Sequence, residues 1–261
     1  MKLYIPILLF LLFVIFILFI YPRFDRFTTQ APRIIHLIYF PWDSSTQKLK
    51  DDPNDFDHTA YNDLKAANPG YDVKLWTLPV CRQFVQRYYP TYENDIFNVP
   101  RPVMVVDILR LLITYHYGGI YWQYGSKQLV DMGQFLPDTK NDKNVKLFTE
   151  IILTDEFANE MRTEPIRNGQ PEEKLRVGTQ IFSAIPRHPY LLELFKTSIE
   201  NTRKYKIIRD YDILFTTGNA MMSTVYDQVG KYQLDVELVD VDQSMRMATI
   251  SSNGSWRLKK I

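Results

Sequence analysis

Asp107 and Arg110 are the two residues whose types and spacing most directly suggest binding chemistry. They lie three residues apart in the apolar stretch 103–117, so a helix there would place both side chains on one face. Because an unpaired charge is costly to bury, each side chain needs a partner. Two alternatives follow. The residues form an ion pair at a solvated edge of the helix, or they line a cleft in which Asp107 accepts hydrogen bonds from ligand hydroxyl groups and Arg110 binds a carboxylate or phosphate.

The elements that would position this pair alternate between strands and helices along the chain. Apolar, β-rich runs predict strands at 33–40, 71–77, 120–124, 145–152, 177–185 and 236–241. Amphipathic or uniformly apolar segments predict helices at 59–67, 81–89, 103–117, 188–205 and 217–229. This alternation predicts an α/β fold with one mixed, mostly parallel sheet flanked by helices. Ligands of such sheets bind beyond the carboxyl ends of the strands, which directs attention to the residues after Gly119.

Composition excludes several functional classes. The 31 Lys and Arg residues nearly balance the 30 Asp and Glu residues, and a net charge of +1 argues against a protein that binds nucleic acid by bulk phosphate neutralisation. Cys81 is the only cysteine, so no intramolecular disulfide can form. The four histidines lack the spacing of a zinc site. We therefore predict a cysteine-poor α/β domain with no nucleic-acid partner.

The first 21 residues form a separate apolar segment. All but Lys2 and Pro6 are apolar, and residues 3–21 carry no charged side chain. About 20 such residues, at a rise of ~1.5 Å each, match the ~30 Å hydrocarbon core of a bilayer. The run is longer than the apolar region of a cleaved signal peptide and ends in bulky residues. We predict a single-pass, uncleaved anchor in an ER/Golgi-type or other biosynthetic membrane, and the flanking charges leave its orientation open.

Six sequence blocks, in order along the chain, carry a resemblance to a known family. The longest is the stretch 105–125, VVDILRLLITYHYGGIYWQYG, and the others lie at 32–36, 68–76, 181–189, 216–218 and 255–256. Together they resemble the DXD-type glycosyltransferases of the yeast initiation mannosyltransferase and capsular-polysaccharide transferase kind. The resemblance implies a GT-A glycosyltransferase fold at 32–261. In the chain, this domain would follow the transmembrane anchor, taken as residues 1–22, and a short polar stem at 23–31.

The resemblance also implies an enzyme. Such an enzyme would transfer a sugar from a UDP- or GDP-linked donor to a hydroxyl group of a glycan, lipid or protein acceptor, with retention of anomeric configuration. Asp107 and Arg110 would contact the ribose and the sugar of the donor, and the C-terminal Ser-Trp pair would close over the diphosphate. The donor-binding residues predicted in this way are Asp107, Arg110, Tyr39, Gln123, Gly125, Gln180, Ser255, Trp256 and Arg257. No catalytic residue is assigned.

The sequence departs from this family at the metal-binding motif. Family members follow Gly-Gly-Ile-Tyr with Leu-Asp-X-Asp, whose two carboxylates hold Mn²⁺ or Mg²⁺. Here Gln123 occupies the first Asp position and Gly125 the second. An amide and a glycine lack the anionic oxygens that a hard divalent cation prefers, so we predict no metal at these positions.

Two consequences of the missing carboxylates remain open. The chain is a metal-independent transferase in which fixed cations such as Lys127 or Arg257 stabilise the leaving diphosphate. Alternatively, it is a catalytically inactive, glycosyltransferase-like protein that binds a nucleotide sugar or a glycan, or that scaffolds a partner transferase.

Overall fold

A computed structural model of the chain describes residues 30–43, 46, 48–50 and 58–251. The strands are β1 (Ile34–Ile38), β2 (Trp42–Asp43), β3 (Lys48–Leu49), β4 (Asp72–Trp76), β5 (Gly119–Trp122), β6 (Lys127–Gln128), β7 (Val145–Ile152), β8 (Leu175–Ala184), β9 (Val236–Val239) and β10 (Ala248–Thr249). The α-helices are α1 (His58–Ala67), α2 (Leu78–Tyr88), α3 (Glu93–Phe97), α4 (Pro102–Tyr117), α5 (Asp155–Glu160), α6 (Pro189–Lys204), α7 (Asp210–Thr216), α8 (Asn219–Gln228) and α9 (Val241–Met247).

A six-stranded sheet in the order β4-β1-β5-β8-β7-β9 forms the centre of the described part. β1 is parallel to both β4 and β5, and β7 is parallel to β9, whereas β8 runs antiparallel to β5 and β7. Five of these six described strands therefore point the same way, which confirms the predicted α/β class and mostly parallel sheet. Because β1 has β4 on one side and β5 on the other, the strand order changes direction there, and a ligand crevice is expected beyond the carboxyl ends of β1 and β5.

Side chains alternate between the two faces of the sheet and build a core on each. On one face, Tyr121 and Phe182 pack with residues of α2, α4 and α6. On the other, Ile120 and Trp122 pack with Phe135. Nearly all of α4 is buried up to Thr114, which explains why its sequence is apolar on most faces.

The Gly118-Gly119 turn fixes how α4 leads into β5. Both residues have positive φ, +67° and +89°, and a Cβ atom on Gly119 would lie 2.5 Å from the carbonyl oxygen of Ile34 in β1. The carbonyl of Gly118 accepts a hydrogen bond of 2.8 Å from Nε2 of the buried His36, whose Nδ1 accepts from the indole of Trp76 at 3.0 Å. Burial lowers the pKa of His36 to about 4. These contacts set the register of β1, β4 and β5, and with it the position of the residues that follow them.

The structure also contains short elements that the sequence pattern did not predict. These include α3, α5, α7, α9, the antiparallel pair of β2 with β3, and the antiparallel pair of β6 with β10, in which Lys127 lies opposite Thr249. Within the described residues, no helix is both long and apolar enough to cross a membrane. The predicted anchor and nearly all of the predicted stem lie outside the described residues.

Candidate functional site

Three of the predicted donor-binding residues meet at the carboxyl edge of the sheet. Tyr39 follows β1 and Gln123 follows β5, while Gln180 lies in the antiparallel β8 at the same level. The backbone N–H of Gln123 donates a 2.8 Å hydrogen bond to the carbonyl of Gln180. The ring of Tyr39 lies 5.0 Å from the ring of Tyr124, centroid to centroid. The topology of β1, β5 and β8 therefore brings together residues that are up to about 140 positions apart in sequence.

Asp107 and Arg110 form a buried ion pair on α4, close to this edge. Nη2 of Arg110 lies 2.7 Å from Oδ1 of Asp107, and each residue is 5% exposed. Oδ2 of Asp107 accepts a 3.0 Å hydrogen bond from the hydroxyl of Thr217, just after α7. The predicted helical face is confirmed, and both carboxylate oxygens already have partners within the described chain.

Arg110 joins this pair to the strand that carries Gln180. Its Nη1 donates a 2.6 Å hydrogen bond to the carbonyl of Thr179, the residue before Gln180, and its guanidinium carbon lies 4.9 Å from the centre of the Tyr121 ring. Burial raises the pKa of Asp107 above its ordinary value, opposed by the Arg110 guanidinium and the Thr217 hydroxyl. The ion pair thus connects α4 to β8 at this edge of the sheet. A ligand can contact the pair only through the small part of it that is exposed.

A second polar group at the edge was missed by sequence reasoning. Glu150, near the end of β7, accepts a 3.2 Å hydrogen bond from the amide of Gln180 and a 2.5 Å hydrogen bond from the amide of Asn219. Asn219 is the first residue of α8, and its Oδ1 is buried without a hydrogen-bond partner in the described part. Within the Thr216-Thr217-Gly218 block, Thr217 bonds Asp107, and the next residue, Asn219, bonds Glu150. The block lies directly before a predicted helix, and this position is the sequence signal that could have pointed to Asn219.

Gln123 and Gly125 stand where the resemblance predicts aspartates, and the turn that contains them contacts the C-terminal segment at Ser251. The side-chain amide of Gln123 donates a hydrogen bond to the carbonyl of Ser251, and the N–H of Ser251 donates to Oγ of Ser126 at 3.2 Å. Gly125 has φ +80°, and a Cβ atom there would lie 3.3 Å from Oγ of Ser251. The turn after β5 is therefore packed against residue 251, next to the paired β6 and β10.

These residues do not fit a divalent cation. The Gln123 amide is directed to a backbone carbonyl, and Gly125 offers no side-chain oxygen. Hard cations such as Mg²⁺ and Mn²⁺ prefer carboxylate ligands, which neither Gln123 nor Gly125 supplies. In the part of the chain that the structure describes, no group of three or more His, Cys, Asp or Glu residues is arranged to hold a metal.

A cavity of about 390 Å³ opens next to the Glu150–Gln180 pair. Its lining comes from β7, β8, α9 and the residues after it. The lining residues are Phe135, Phe148, Thr149, Glu150, Gly178, Gln180, Ile181, Ser244, Met245, Ala248, Thr249 and Ile250. Of the predicted donor-binding residues that the structure describes, only Gln180 lines it.

The described donor-binding candidates form one connected set. The rings of Tyr39 and Tyr124 are in contact, and Gln123, which precedes Tyr124, bonds Gln180. The Asp107–Arg110 pair bonds the carbonyl of Thr179, which directly precedes Gln180, and Gly125 follows Tyr124. Their contact with a donor stays a prediction. Ser255, Trp256 and Arg257 lie outside the described residues.

Comparisons with known proteins agree with the resemblance. Residues 54–124 match the family model described as the glycosyltransferase sugar-binding region containing the DXD motif, a range that includes Asp107, Arg110 and Gln123. Mannosyl phosphorylinositol ceramide synthase SUR1 of Saccharomyces cerevisiae is 24% identical over 203 residues, which cover 78% of this chain and 44% of SUR1. Its counterpart CSH1, from the same yeast, is 24% identical over 234 residues, 86% of this chain and 52% of CSH1.

The chain spans about half the length of these curated relatives. Among solved structures, a PaToxG glycosyltransferase is similar with a TM-score of 0.44 and 12% identity, covering 77% of this chain and 71% of that one. The sequence resemblance to the DXD-type glycosyltransferases is thus confirmed over residues 54–124.

Proposed function

We propose that this chain, whose residues 54–124 match the sugar-binding region of the DXD-type glycosyltransferases, transfers a sugar from a nucleotide-diphosphate donor to an acceptor hydroxyl group. The proposal rests on the set of residues at the carboxyl edge of the sheet, where Gln123 bonds Gln180 and the Asp107–Arg110 pair bonds the neighbouring carbonyl of Thr179. Two of those residues, Asp107 and Arg110, lie on the buried helix inside the matched region. We further propose that the domain has the GT-A fold, with the donor in the crevice beyond β1 and β5.

The names of the relatives support mannose as the transferred sugar. SUR1 and CSH1 are both named mannosyl phosphorylinositol ceramide synthases. By analogy, we propose a mannosyl donor and a lipid acceptor for this chain. In the reaction the acceptor oxygen forms a bond to the anomeric carbon, the bond from that carbon to the diphosphate oxygen breaks, and the nucleoside diphosphate leaves while the hydroxyl proton is released. The family resemblance supports retention of anomeric configuration.

The reaction is proposed to proceed without a divalent cation. Gln123 and Gly125 hold residue 251 and offer no carboxylate. Positive charge at the leaving diphosphate must then come from fixed cations, which can stabilise developing charge as a metal does. Lys127 is the candidate within the described chain, because β6 extends from the turn after Gln123. Arg257 is the candidate in the C-terminal segment.

A membrane location is part of the proposal. The uncharged apolar run 3–21 has the length of a membrane span, and a lipid acceptor would be found in the same membrane. An ER/Golgi-type or other biosynthetic membrane fits both the anchor and the relatives' named products.

The second candidate is a glycosyltransferase-like protein without catalytic activity. It is favoured by the loss of both carboxylates and by the burial of the Asp107–Arg110 pair, whose two residues are each 5% exposed and offer little surface to a ligand. Such a protein would bind a nucleotide sugar or glycan, or would support a partner transferase.

Donor hydrolysis by the full chain in lipid nanodiscs distinguishes these candidates. UDP-glucose, UDP-galactose and GDP-mannose are each supplied with and without EDTA, and release of UDP or GDP is measured, with empty nanodiscs as the reference. We expect turnover of GDP-mannose that EDTA does not reduce. Turnover abolished by EDTA would contradict metal independence, and binding of a donor without any turnover would favour the inactive protein.

A further inference from the structure

We propose that the cavity between β7, β8 and α9 is an acceptor site for an amphiphilic alcohol, whose hydroxyl-bearing head binds at Glu150 and whose hydrocarbon chain leaves over Met245 and Ile250. This inference rests on the proposed function, because it takes the transferred sugar to lie beside Gln180. The volume of about 390 Å³ lies within the range of roughly 300–1,000 Å³ typical of small-molecule sites.

The inner wall of the cavity is suited to hydroxyl groups. The Glu150 carboxylate accepts hydrogen bonds from the amides of Gln180 and Asn219 and retains lone pairs for further donors. The carboxylate also disfavours an anionic group at this end of the cavity.

The remaining wall and the rim are apolar. Phe135, Phe148 and Ile181 line the cavity, and they also belong to the hydrophobic core. Met245 and Ile250, which line it as well, are 62% and 38% exposed. Large apolar side chains exposed at the border of a polar pocket are typical of sites that bind apolar groups. A ligand with a polar head alone would leave this rim in water.

The position of Gln180 identifies the ligand as the acceptor rather than the donor. Gln180 lines the cavity with its side chain and accepts the Gln123 hydrogen bond with its backbone carbonyl, so it belongs to both the cavity and the predicted donor set. Tyr39, Asp107 and Arg110 do not line the cavity. A molecule bound there is therefore adjacent to the donor-binding residues without occupying their place, which is where a sugar acceptor must lie.

Binding of two alkyl mannosides to the full chain in nanodiscs tests this site. The probes are n-hexyl and methyl α-D-mannopyranoside, titrated below micelle-forming concentrations, with empty nanodiscs used to subtract partitioning into lipid. We expect the hexyl glycoside to bind at least tenfold more tightly, because its additional methylene groups are removed from water at the rim. Equal affinities for the two glycosides would overturn the proposal.

Three variants locate the binding. Met245→Ser combined with Ile250→Ser should reduce the hexyl-to-methyl ratio to less than threefold. Thr249→Trp, at an exposed lining position, should fill the cavity and abolish binding of both glycosides. Leu234→Ser is the matched control, since Leu234 is 89% exposed, lies before β9 and does not line the cavity. A rim variant that keeps the full hexyl preference would overturn the proposal.

Donor hydrolysis measured in the same preparations separates this inference from the proposed function. Hydrolysis without any preference for the hexyl glycoside would reject the acceptor site and leave the transferase intact. In the opposite outcome, the chain neither binds nor hydrolyses a donor, yet it prefers the hexyl glycoside and loses this preference in the rim variant. That result would support the amphiphile site and reject the transferase function.

Discussion

The Asp107–Arg110 pair combines a structural and a proposed binding role in two side chains. Each oxygen of the Asp107 carboxylate has a partner, and Arg110 also holds the carbonyl of Thr179. Such closure favours the ion pair, the simpler of the two alternatives raised by the sequence, although the pair is buried and does not lie at a solvated edge of the helix. The pair could still affect donor binding, because Arg110 bonds Thr179, the residue before Gln180. A shift of Arg110 would therefore displace β8 and, with it, Gln180. Stability and donor affinity must therefore be measured together.

Breaking this pair on one side is expected to destabilise the fold. Asp107→Asn leaves the Arg110 guanidinium buried without its counter-charge, and we expect a loss of about 3 kcal/mol in the free energy of unfolding. The double variant Asp107→Leu with Arg110→Met removes both charges and should recover more than half of that loss. Urea unfolding of the three proteins provides the comparison. If the double variant folds and still binds the donor within threefold of the original affinity, the pair does not belong to the donor site.

His36 makes the stability of the domain depend on pH. Burial lowers its pKa from 6.5 to about 4, so the folded state resists protonation that the unfolded state accepts. The unfolded state therefore binds more protons between those values, and stability rises as pH increases through this window. The full contribution is present above pH 6.5, and about 3 kcal/mol is lost by pH 4.

His36→Gln is the variant that tests this pH dependence. It keeps a side chain that can donate a hydrogen bond to Gly118 but cannot titrate. We expect the difference in unfolding free energy between the original chain and the variant to shrink as pH falls from 7 to 4. A difference that is independent of pH would show that His36 does not carry the effect.

Among the elements, the turn between α4 and β5 has the strictest sequence requirement. Gly119→Ala would force a Cβ atom to 2.5 Å from the Ile34 carbonyl, at a φ of +89°. Gly169 also has a positive φ, +78°, but nothing lies within 4 Å of its Cβ position. We expect Gly169→Ala to cost about 1 kcal/mol from backbone strain alone, and Gly119→Ala about 3 kcal/mol or more, because β1 must also move. Equal losses in thermal or urea unfolding would contradict this packing.

The turn after β5 is expected to hold the C-terminal segment through Gln123. Gln123→Ala removes the hydrogen bond to the Ser251 carbonyl and should weaken the local structure by about 1 kcal/mol. Hydrogen exchange of the amides at 247–251 should then become about fivefold faster. Gln134→Ala, at an exposed position outside this contact, is the control. Unchanged exchange at 247–251 would show that β6 and β10 alone hold the segment.

The sequence predicts the long elements well and the short ones poorly. The strand Val145–Ile152 is found with the predicted bounds, and α4 begins one residue earlier than predicted, at Pro102. Both are long apolar runs, and α4 is bounded by proline and glycine. The β6–β10 pair was missed because its two strands, about 120 residues apart, depend on each other. Glu150 was missed for a similar reason, since a carboxylate at a strand end gains its role only from Gln180 and Asn219.

At the scale of the whole molecule, a nearly neutral domain is combined with an uncharged apolar N-terminal run. We expect the full chain to remain with the membrane fraction after alkaline carbonate extraction, because burying about 20 apolar residues in a bilayer outweighs any surface charge effect. A chain that begins at residue 27 lacks this run and should be released, and it provides the matched control. The sequon Asn253-Gly254-Ser255 then reports orientation, because it gains a glycan only on the lumenal side. Release of the full chain by carbonate would contradict the anchor, and with it the proposal that acceptor and enzyme share one membrane.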